Sequence, residues 1–549
     1  MKAGKSLAAF CAAAGASLVV AASASADTVV VHDGGDSSVS TTCTLRHAMD
    51  SLASGATGGC VVTPASGDDV ITFDPSITDI QLEDSELVWY GADPLSIEGP
   101  GIASLSIAAA SGNRVFLVQS GTSLTVSGMT ILDGAPTTAA SVRGGCVLNQ
   151  GTLTLSAVRL TDCTSNAASN STNAYADGAA IGNEGTLTIS GSRVDNNHTT
   201  ATNTKTGSGG TEAQARGAIY SEGAGGVTLN NTTVEENDAT ATDANDGSSD
   251  AAAYGGLAVV GGGNINVSRS TFELNFATAT EALGLAVTAG AIYSASPGSI
   301  ELTTVGRNRG DSTGVSIAST GGIFDDSTGL AIRSGTIASN GPTTGTANGA
   351  NVLENSGPST FSNTIIANPR GGSGDNCAGN LATSAGFNVD YSPTGPSCFD
   401  TPEPPTDLTS DPLLSSELVN NGGPTETFAL QPTSPVIDAG LNAGITLSSA
   451  TQDQRGMTRP VDFSGIANAP GGNGTDIGAF EFQSTCTGQA VPDGTCPSGG
   501  GGGNPQPPTP GPTGLRAKAL KKCKKIKAKN KAKAQKRKKC IKRAKKLPV

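Results

Sequence analysis

Residues 178–197 read GAAIGNEGTLTISGSRVDNN, and the same pattern recurs along the middle of the chain. The unit before it, residues 144–163, reads GGCVLNQGTLTLSAVRLTDC, and the last and most degenerate unit covers residues 350–368. Aligning the units places one apolar residue at the same point of each: Val147, Ile181, Ile219, Leu257, Ile292, Ile323 and Val352. A unit that repeats at this length is typical of a solenoid, in which each repeat packs only on its neighbours.

Within each unit the apolar residues alternate with polar ones, which indicates strands rather than helices. In residues 185–190, for example, Leu187 and Ile189 lie on one face of a strand and Thr186 and Thr188 on the other. Gly and Asn break each unit into three such strands. Because the chain also has 74 Gly and only 4% aromatic residues, we expect an all-β fold: a right-handed parallel β-helix with three strands per coil.

Most units end in asparagine. In stacked coils these side chains would form a ladder in which each amide bonds to the next, so their role is structural. The predicted ladder consists of Asn197, Asn237, Asn275, Asn308, Asn340 and Asn368.

The units differ in length although their strands do not, so the additional residues leave the coil at one corner. Three successive extensions begin alike, with HTTATNT at residues 198–204, DATATDA at 238–244 and FATATEA at 276–282. Two interpretations are open. Either the extensions stack into a ridge or short sheet, where repeat proteins often carry their binding surface, or they are unstructured loops.

Ten cysteines remain after the one in the N-terminal leader is set aside, and they form five local couples. An even number of cysteines in an exported chain predicts structural disulfides, whereas a zinc site is disfavoured because CxxC spacings are absent and the chain has only 3 His. The simplest pairing is Cys43 with Cys60, Cys146 with Cys163, Cys377 with Cys398, Cys486 with Cys496, and Cys523 with Cys540.

The chain divides into six regions by composition. Residues 1–26 have the basic start, apolar run and small-residue end of a signal peptide, which predicts a secreted chain that is extracellular or at the cell surface and has no transmembrane segment once mature. We assign residues 27–93 to an N-terminal cap, 94–375 to the β-helix and 376–483 to a C-terminal capping region. A small cysteine loop and Gly/Pro linker (484–514) and a lysine-rich, helix-compatible tail (515–549) follow.

Charge is distributed very unevenly. The tail holds 18 Lys and Arg and no acid, while the rest of the mature chain has 14 basic residues against 47 acidic ones. Such a tail binds polyanions by counterion release, so its expected partner is an anionic envelope polymer or polysaccharide, or the acidic body of the chain itself. Aromatic residues for base stacking are missing from it, which argues against sequence-specific nucleic-acid binding. The densest charges are Lys521, Lys522, Lys524, Lys525, Lys536, Arg537, Lys538 and Lys539.

Three stretches resemble known bacterial proteins. CTLRHAMD, at residues 43–50, resembles the Cys-Ser-Leu-Arg-Glu-Ala motif that opens many secreted β-helix proteins, with His47 in place of its Glu. The repeated units resemble the pectin-lyase-like repeats of surface proteins. Residues 411–440, followed by DQRGMTRP (453–460) and DIGAFE (476–481), resemble the C-terminal choice-of-anchor Q domain. The resemblance implies a surface or secreted β-helix protein and carries no catalytic activity with it.

Sequence patterns for catalysis are weak, so we assign no catalytic, cofactor or metal residue. The main alternative is a polysaccharide lyase or glycoside hydrolase. For a lyase, Arg307, Arg309 and Asp311 form the nearest candidate cluster. Neighbours such as Asp325 and Asp326 would point to opposite faces of a strand. A convergent set of Asp, Arg and Lys on one face of adjacent coils would favour the enzyme. An unbroken Thr/Ser/Asn face without buried charge would favour the structural protein. The sequence leaves the oligomeric state open.

Overall fold

The structure is a computed structural model. It describes residues 25–36, 41–55, 59–66, 68–137, 140–205, 210–244, 250–343, 348–371, 375–392, 395–442 and 451–483. Residues 1–24 of the predicted signal peptide (1–26) therefore lie outside the described residues. The cysteine loop, the linker and the lysine-rich tail (484–549) lie outside them as well. The described coils and C-terminal region belong to one unit that ends at Phe482.

Three long sheets form the coil of a parallel β-helix. Sheet A contains Thr63–Ser66, Ser25–Val31, Asp69–Phe73, Leu95–Glu98, Ser123–Ser127, Thr152–Ser156, Thr186–Ser190, Val227–Asn230, Ile265–Ser268, Gly298–Glu301, Leu330–Arg333, Thr360–Ser362 and Thr383–Ser384. Sheet B contains Asp79–Gln81, Ser106–Ala108, Thr130–Leu132, Arg159–Thr161, Arg193–Asp195, Thr233–Glu235, Thr271–Glu273, Thr304–Gly306, Thr336–Ala338, Ile365–Ala367 and Val389–Tyr391. Sheet C contains Leu87–Trp89, Phe116–Val118, Val147–Asn149, Ile181–Asn183, Ile219–Ser221, Leu257–Val259, Ile292–Ser294, Ile323–Asp325, Val352–Glu354 and Cys377–Gly379.

The strands stack in the register that the repeats predict. Val147 pairs with Ile181, Ile181 with Ile219, and the series continues to Val352. These residues are buried in one apolar core that runs along the coil. Among the strands that the structure describes in these sheets, all pairings are parallel except that of Ser25–Val31 with Thr63–Ser66. The prediction of a parallel β-helix with three strands per coil is confirmed.

Two further sheets lie beside the coil. Sheet D contains Ser141–Arg143, Ala174–Asp177, Ala213–Arg216, Asp250–Tyr254, Leu285–Ala289 and Ser316–Thr320. Sheet E contains Thr164–Ser169, His198–Asn203, Asp238–Asp243, Phe276–Glu281 and Arg309–Thr313. In each of five coils the chain leaves sheet B, runs out along sheet E, returns along sheet D and enters sheet C. The three similar extensions therefore stack as strands, and we call the pair of sheets the side sandwich.

The side sandwich has a core of its own, made almost wholly of alanine. Alternate residues of sheets D and E point between the two sheets and are buried. Because alanine carries only a methyl group, the two sheets can approach closely over a thin core. Its members are Val142, Ala167, Ala174, Ala176, Ala201, Ala213, Ala215, Ala239, Ala241, Ala251, Ala253, Ala277, Ala279 and Ala286.

The N-terminal cap is built around one helix, Leu45–Ser54. Thr44 caps it by accepting a hydrogen bond from the backbone N–H of His47, and Gly55 ends it in the left-handed region. Arg46 forms an ion pair with Asp36 at 2.8 Å and donates to the carbonyl oxygen of Ser85. These bonds tie the cap to the chain just before the first strand of sheet C, Leu87–Trp89, so the open end of that sheet is covered.

The coils extend beyond residues 94–375 on both sides. Asp69–Phe73, Asp79–Gln81 and Leu87–Trp89 already form a complete coil within the predicted N-terminal cap, and Cys377–Gly379 to Val389–Tyr391 add another after residue 375. The chain then turns back along the outside of sheet B. There Thr304 donates to the side-chain oxygen of Gln454 at 2.6 Å.

The motifs near the end of this region hold it together. Arg459, fully buried, donates to the carbonyl oxygens of Gly478 and Asp476 at 2.8 Å each. The carboxylate of Asp453 accepts the backbone N–H groups of Arg455, Met457 and Glu481. A buried charge is tolerated when it is hydrogen-bonded in this way, so DQRGMTRP and DIGAFE have structural roles here.

Candidate functional site

The outer face of sheet E carries a regular array of threonines. Thr200 pairs in register with Thr240, and Thr240 with Thr278; Thr202, Thr242 and Thr280 form a second column two residues further along. Within a column, successive threonines are about 4.8 Å apart, which is the spacing of neighbouring strands. Within the part of the chain that the structure describes, the hydroxyls of these six residues form no hydrogen bond to the protein, so they face outward with their bonding capacity free.

A comparable face lies on sheet A of the main coil. Thr125, Thr154, Thr188 and Thr228 point outward in adjacent strands and pair in register. They are half-buried by their neighbours. An uncharged, hydroxyl-bearing face of this kind is the pattern expected of a structural protein.

Charged residues converge where sheet D meets sheet C. Asp177 is fully buried and accepts two hydrogen bonds from Arg216, at 2.6 and 2.9 Å. It also lies 3.3 Å from the guanidinium of Arg143, which in turn contacts Glu184 at 2.9 Å and Glu222. Burial raises the pKa of Asp177 in spite of the two arginines. We call this network the hinge cluster, because it joins the side sandwich to the coil.

Aromatic side chains complete the hinge cluster. The guanidinium of Arg216 lies 4.5 Å from the ring centre of Tyr220, and the Tyr220 hydroxyl donates to Glu222 at 2.7 Å. Further along, Tyr254 and Tyr293 stack with ring centres 4.1 Å apart. Burial raises the pKa of Tyr220, so its hydroxyl stays protonated. Since the ring faces and the charges are engaged within the protein, the cluster serves to fix the sandwich on the coil.

A second group of carboxyls lies on the outer face of sheet B. Glu235 and Glu273 stand in adjacent strands, and Glu426 from the C-terminal region lies beside them, where its backbone carbonyl accepts a hydrogen bond from Thr271 at 2.6 Å. Burial, followed by the charge of Glu426, raises the pKa of Glu273 to about 8, and burial raises that of Glu235 to about 7. Carboxyls that keep a proton near neutral pH can act as general acids. We call this group the carboxyl cluster.

Arginines border the carboxyl cluster. Arg193 lies 2.9 Å from Glu235, and Arg307 lies 3.1 Å from Glu273 and 2.6 Å from Glu417. Arg193 is 46% exposed, so one side of the cluster is open to solvent. Carboxyl and guanidinium groups that converge on one face of adjacent coils are the pattern expected of a polysaccharide lyase or glycoside hydrolase.

Five of the six predicted ladder asparagines form a continuous chain of hydrogen bonds. The amide of Asn197 donates to Asn237 at 2.8 Å, and each following amide donates to the next at 2.9 Å as far as Asn340. All five are fully buried. Each oxygen also accepts the backbone N–H of the preceding ladder residue, so the amides satisfy polar groups at the coil corner.

The assignment of Asn368 to this ladder is wrong. The residue before each ladder asparagine is left-handed, as φ of 56° at Asn196 and 60° at Ser339 shows, and Asn368 itself has φ of 52°. Asn368 therefore occupies the turn position, and proline follows it. The ladder continues instead through Asn351 and Asn376, which stand just before strands of sheet C, and ends at Asp390.

Three predicted disulfides are present: Cys43–Cys60, Cys146–Cys163 and Cys377–Cys398. Cys163 takes the ladder position in its coil and donates its backbone N–H to Asn197. The pairs Cys486–Cys496 and Cys523–Cys540 lie outside the described residues, as do the tail residues Lys521 to Lys539, so those predictions remain predictions.

The three residues considered for catalysis do not come together in one cluster. Arg307 lies at the end of sheet B with Glu273, whereas Arg309 begins a strand of sheet E and pairs with Asp311 at 3.4 Å. Asp325 is buried and accepts from Ser359, while its neighbour Asp326 accepts from Tyr293 on the outside, as alternation along a strand predicts. No three His, Cys, Asp or Glu side chains among the described residues converge to hold a metal ion.

The hinge cluster was not predicted from the sequence, although the repeats contain its signal. Arg143, Asp177 and Arg216 each stand directly before the first glycine of a unit, and they pair in register across adjacent strands. Aligning that position shows the charge alternating from coil to coil. Glu426 had no comparable signal, because it comes from outside the repeats.

The described helix has ten residues, so no described helix is long enough to cross a bilayer. Comparison of the chain with protein-family models, with curated proteins and with solved structures gives no match.

Proposed function

We propose that the protein is an exported, non-enzymatic β-helix of the cell surface or extracellular space that serves adhesion or envelope architecture, with the side sandwich as its contact surface. One observation carries this proposal. The coil formed by Leu95–Glu98, Ser106–Ala108 and Phe116–Val118 closes with three strands and no extension. The side sandwich is therefore not needed to close a coil, yet five successive coils contribute strands to it.

The chemistry of the sandwich supports a contact role. Its alanine core makes it thin, and its outer face presents the threonine columns of sheet E, whose hydroxyls and methyls suit a hydroxyl-rich polymer. The hinge cluster holds this surface at a fixed place on the coil. Rigid presentation of a ligand surface reduces the entropy lost on binding.

Location outside the cytoplasm is supported by three disulfides, which persist in oxidising compartments. The signal-peptide pattern and the resemblance to surface β-helix and choice-of-anchor Q proteins point the same way. In this proposal the lysine-rich tail tethers the protein electrostatically to an anionic envelope polymer.

The sandwich and the tether are tested by retention on isolated cell walls across a salt series. At about 1 M salt the Debye length is about 3 Å, so tail attraction is screened and retention reports the sandwich. A Thr240→Tyr, Thr242→Tyr variant is expected to lose this salt-resistant retention. Thr188→Tyr, which alters an outward threonine of sheet A, is the matched control and is expected to bind as the wild type does.

The tail is tested at low salt with a chain that ends at residue 514. If the tail is a tether, this chain is released to the medium under conditions that retain the full chain. Equal partition of the two chains would exclude the tether, and equal retention of both threonine variants would exclude the sandwich as the contact surface.

The carboxyl cluster favours one second candidate, a glycoside hydrolase. A protonated Glu273 next to Glu235 and Glu426 offers a general acid beside carboxylates that could act as base or nucleophile. Release of reducing ends from a panel of neutral and uronic-acid polysaccharides tests it. Activity that Glu273→Gln abolishes and that Glu98→Gln, an exposed control on sheet A, leaves intact would establish the enzyme and overturn the non-enzymatic proposal.

A further inference from the structure

Asp438, in the C-terminal region, is a buried acid that lacks part of its hydrogen-bond partners. It follows the core residues Val436 and Ile437, and its side chain is fully buried. One carboxylate oxygen, Oδ2, accepts the backbone N–H of Phe463 at 2.9 Å. Within the described part of the chain the other oxygen, Oδ1, is shielded from solvent and accepts no hydrogen bond. An oxygen buried in this way needs a water or an ion as its partner.

Asp438 also has no cation beside it among the described residues. The two arginines of the C-terminal region are engaged elsewhere, since Arg455 pairs with Asp453 at 2.7 Å and Arg459 donates to two backbone carbonyl oxygens at 2.8 Å each. A buried carboxylate is costly unless it is paired with a cation or coordinates a metal ion. The fold therefore leaves Asp438 open to a cation from solution.

A second carboxylate, that of Asp462, lies next to Asp438. Asp462 directly precedes Phe463, whose N–H holds the Asp438 carboxylate, and it is exposed. Gly474 packs on its other side, because a methyl group added to this glycine would lie 2.5 Å from Cβ of Asp462. Burial and the charge of Asp462 both raise the pKa of Asp438, against the effect of the hydrogen bond from Phe463. Neighbouring carboxylates repel one another unless a cation lies between them.

The loop of residues 462–474 folds around this pair of acids. The N–H of Ala469 bonds to the carbonyl oxygen of Asp438 at 3.3 Å. The side-chain amide of Asn468 lies 3.4 Å from a carboxylate oxygen of Asp462. One segment of chain thus supplies carboxylate, amide and backbone groups around a single buried oxygen.

We propose that Asp438 and Asp462 bind one calcium ion, over which the 462–474 loop closes. Calcium fits because it takes about six to eight oxygen ligands in a flexible geometry, and carbonyl oxygens and waters can complete a shell begun by two carboxylates. Magnesium demands a near-ideal octahedron and fits such a loop less well. We expect the affinity typical of extracellular calcium sites, with Kd about 0.1–1 mM. This inference does not depend on the function proposed above.

Hydrogen exchange of the full chain, freed of divalent ions with a chelator, tests the site. The reporters are the amides of Phe463 and Ala469, which bond to Asp438. Calcium at about 10 mM is about ten times the weakest expected Kd, so the protection of both amides should rise about tenfold or more. Magnesium at the same concentration and ionic strength should leave it nearly unchanged. No rise with calcium, or an equal rise with magnesium, would overturn the proposal.

Asp462→Asn removes the charge of one ligand at an exposed position, so this variant should fold as the wild type does and lose the response to calcium. Asp400→Asn, which alters an exposed aspartate of the same region outside the loop, is the matched control and should keep the response. A full response in Asp462→Asn would place the ion elsewhere and contradict the site. Asp438→Asn should lose the response as well. If that variant fails to fold, the comparison of Asp462→Asn with Asp400→Asn decides alone.

Discussion

The side-chain amide of Asn340 donates to Asn351, 2.9 Å away and only eleven residues further along the chain, whereas the earlier rungs of the same ladder join residues a whole coil apart. Up to this point each ladder asparagine stands at the end of a repeat unit, and from here on the ladder asparagine stands at the start of one. What is preserved is the buried position at the corner of the coil, where backbone N–H groups need an acceptor.

Substitution of Asn275 tests whether the asparagine ladder stabilises the fold. It donates to Asn308 and to the carbonyl of Val234 and accepts from Asn237, all at 2.9 Å. Asn275→Ala leaves these groups buried without a partner and is expected to lower the free energy of unfolding by about 2–4 kcal/mol. Asn266→Ala, on the exposed face of sheet A, is the control. Urea denaturation measures both, and equal midpoints would contradict a stabilising ladder.

The alanine core of the side sandwich should not accept a larger residue. Ala241 is fully buried between Ala201 and Ala279 of the neighbouring strands. Ala241→Leu is expected to destabilise the sandwich by about 2–3 kcal/mol through overpacking. Thr240→Leu, one residue away and facing outward, should change stability by less than about 0.5 kcal/mol. Hydrogen exchange in sheets D and E distinguishes the two, and similar protection would show that the core is loosely packed.

Asp177 is expected to be the residue on which the hinge cluster depends. Asp177→Ala removes a fully buried carboxylate and leaves Arg216, whose side chain is 13% exposed, without its ion-pair partner, so it is expected to lower the free energy of unfolding by about 3–5 kcal/mol. Glu222→Ala should lower it by no more than about 1 kcal/mol, because Arg143 keeps two other carboxylates and Glu222 is 32% exposed. Chemical denaturation gives both values. A larger loss from Glu222 would place the main interaction at the rim.

Glu354 makes stability depend on pH. Burial raises its pKa to about 7. Because the folded-state pKa is raised, its favourable contribution is complete below about pH 4.5 and is lost as pH rises through 7. Glu354→Gln is therefore expected to match the wild type near pH 4.5 and to exceed it at pH 8 by up to about 3 kcal/mol. Urea midpoints between pH 4.5 and 8 check this, with exposed Glu83→Gln as the control. Parallel curves for wild type and Glu354→Gln would refute it.

The periodic part of the structure could be predicted because its causes are local. Val147 and its six aligned counterparts fall in the core since the same short pattern recurs at the same place in each coil. The same reasoning failed by one residue at Asn368, because asparagine suits both the left-handed turn position and the ladder position that follows it. Residue type alone could not separate the two.

The charged clusters could not be predicted because they depend on distance in space. Arg143 and Glu222 are 79 residues apart, and they meet only because two coils and their extensions intervene at fixed register. Glu273 meets Glu426 because the C-terminal region turns back along sheet B. The lengths of the extensions and the course of that return are set by the whole fold rather than by the neighbouring residues.

The side sandwich grows with the solenoid. Residues 217–254 contribute one strand to each of the five sheets. Their removal would join Arg216 to Gly255 and place strands side by side that already share the same register. Loss or duplication of such a unit would then change the length of the coil and the threonine array by the same step, about 4.8 Å. The extent of the exposed array can vary by whole units, without any new interface having to arise.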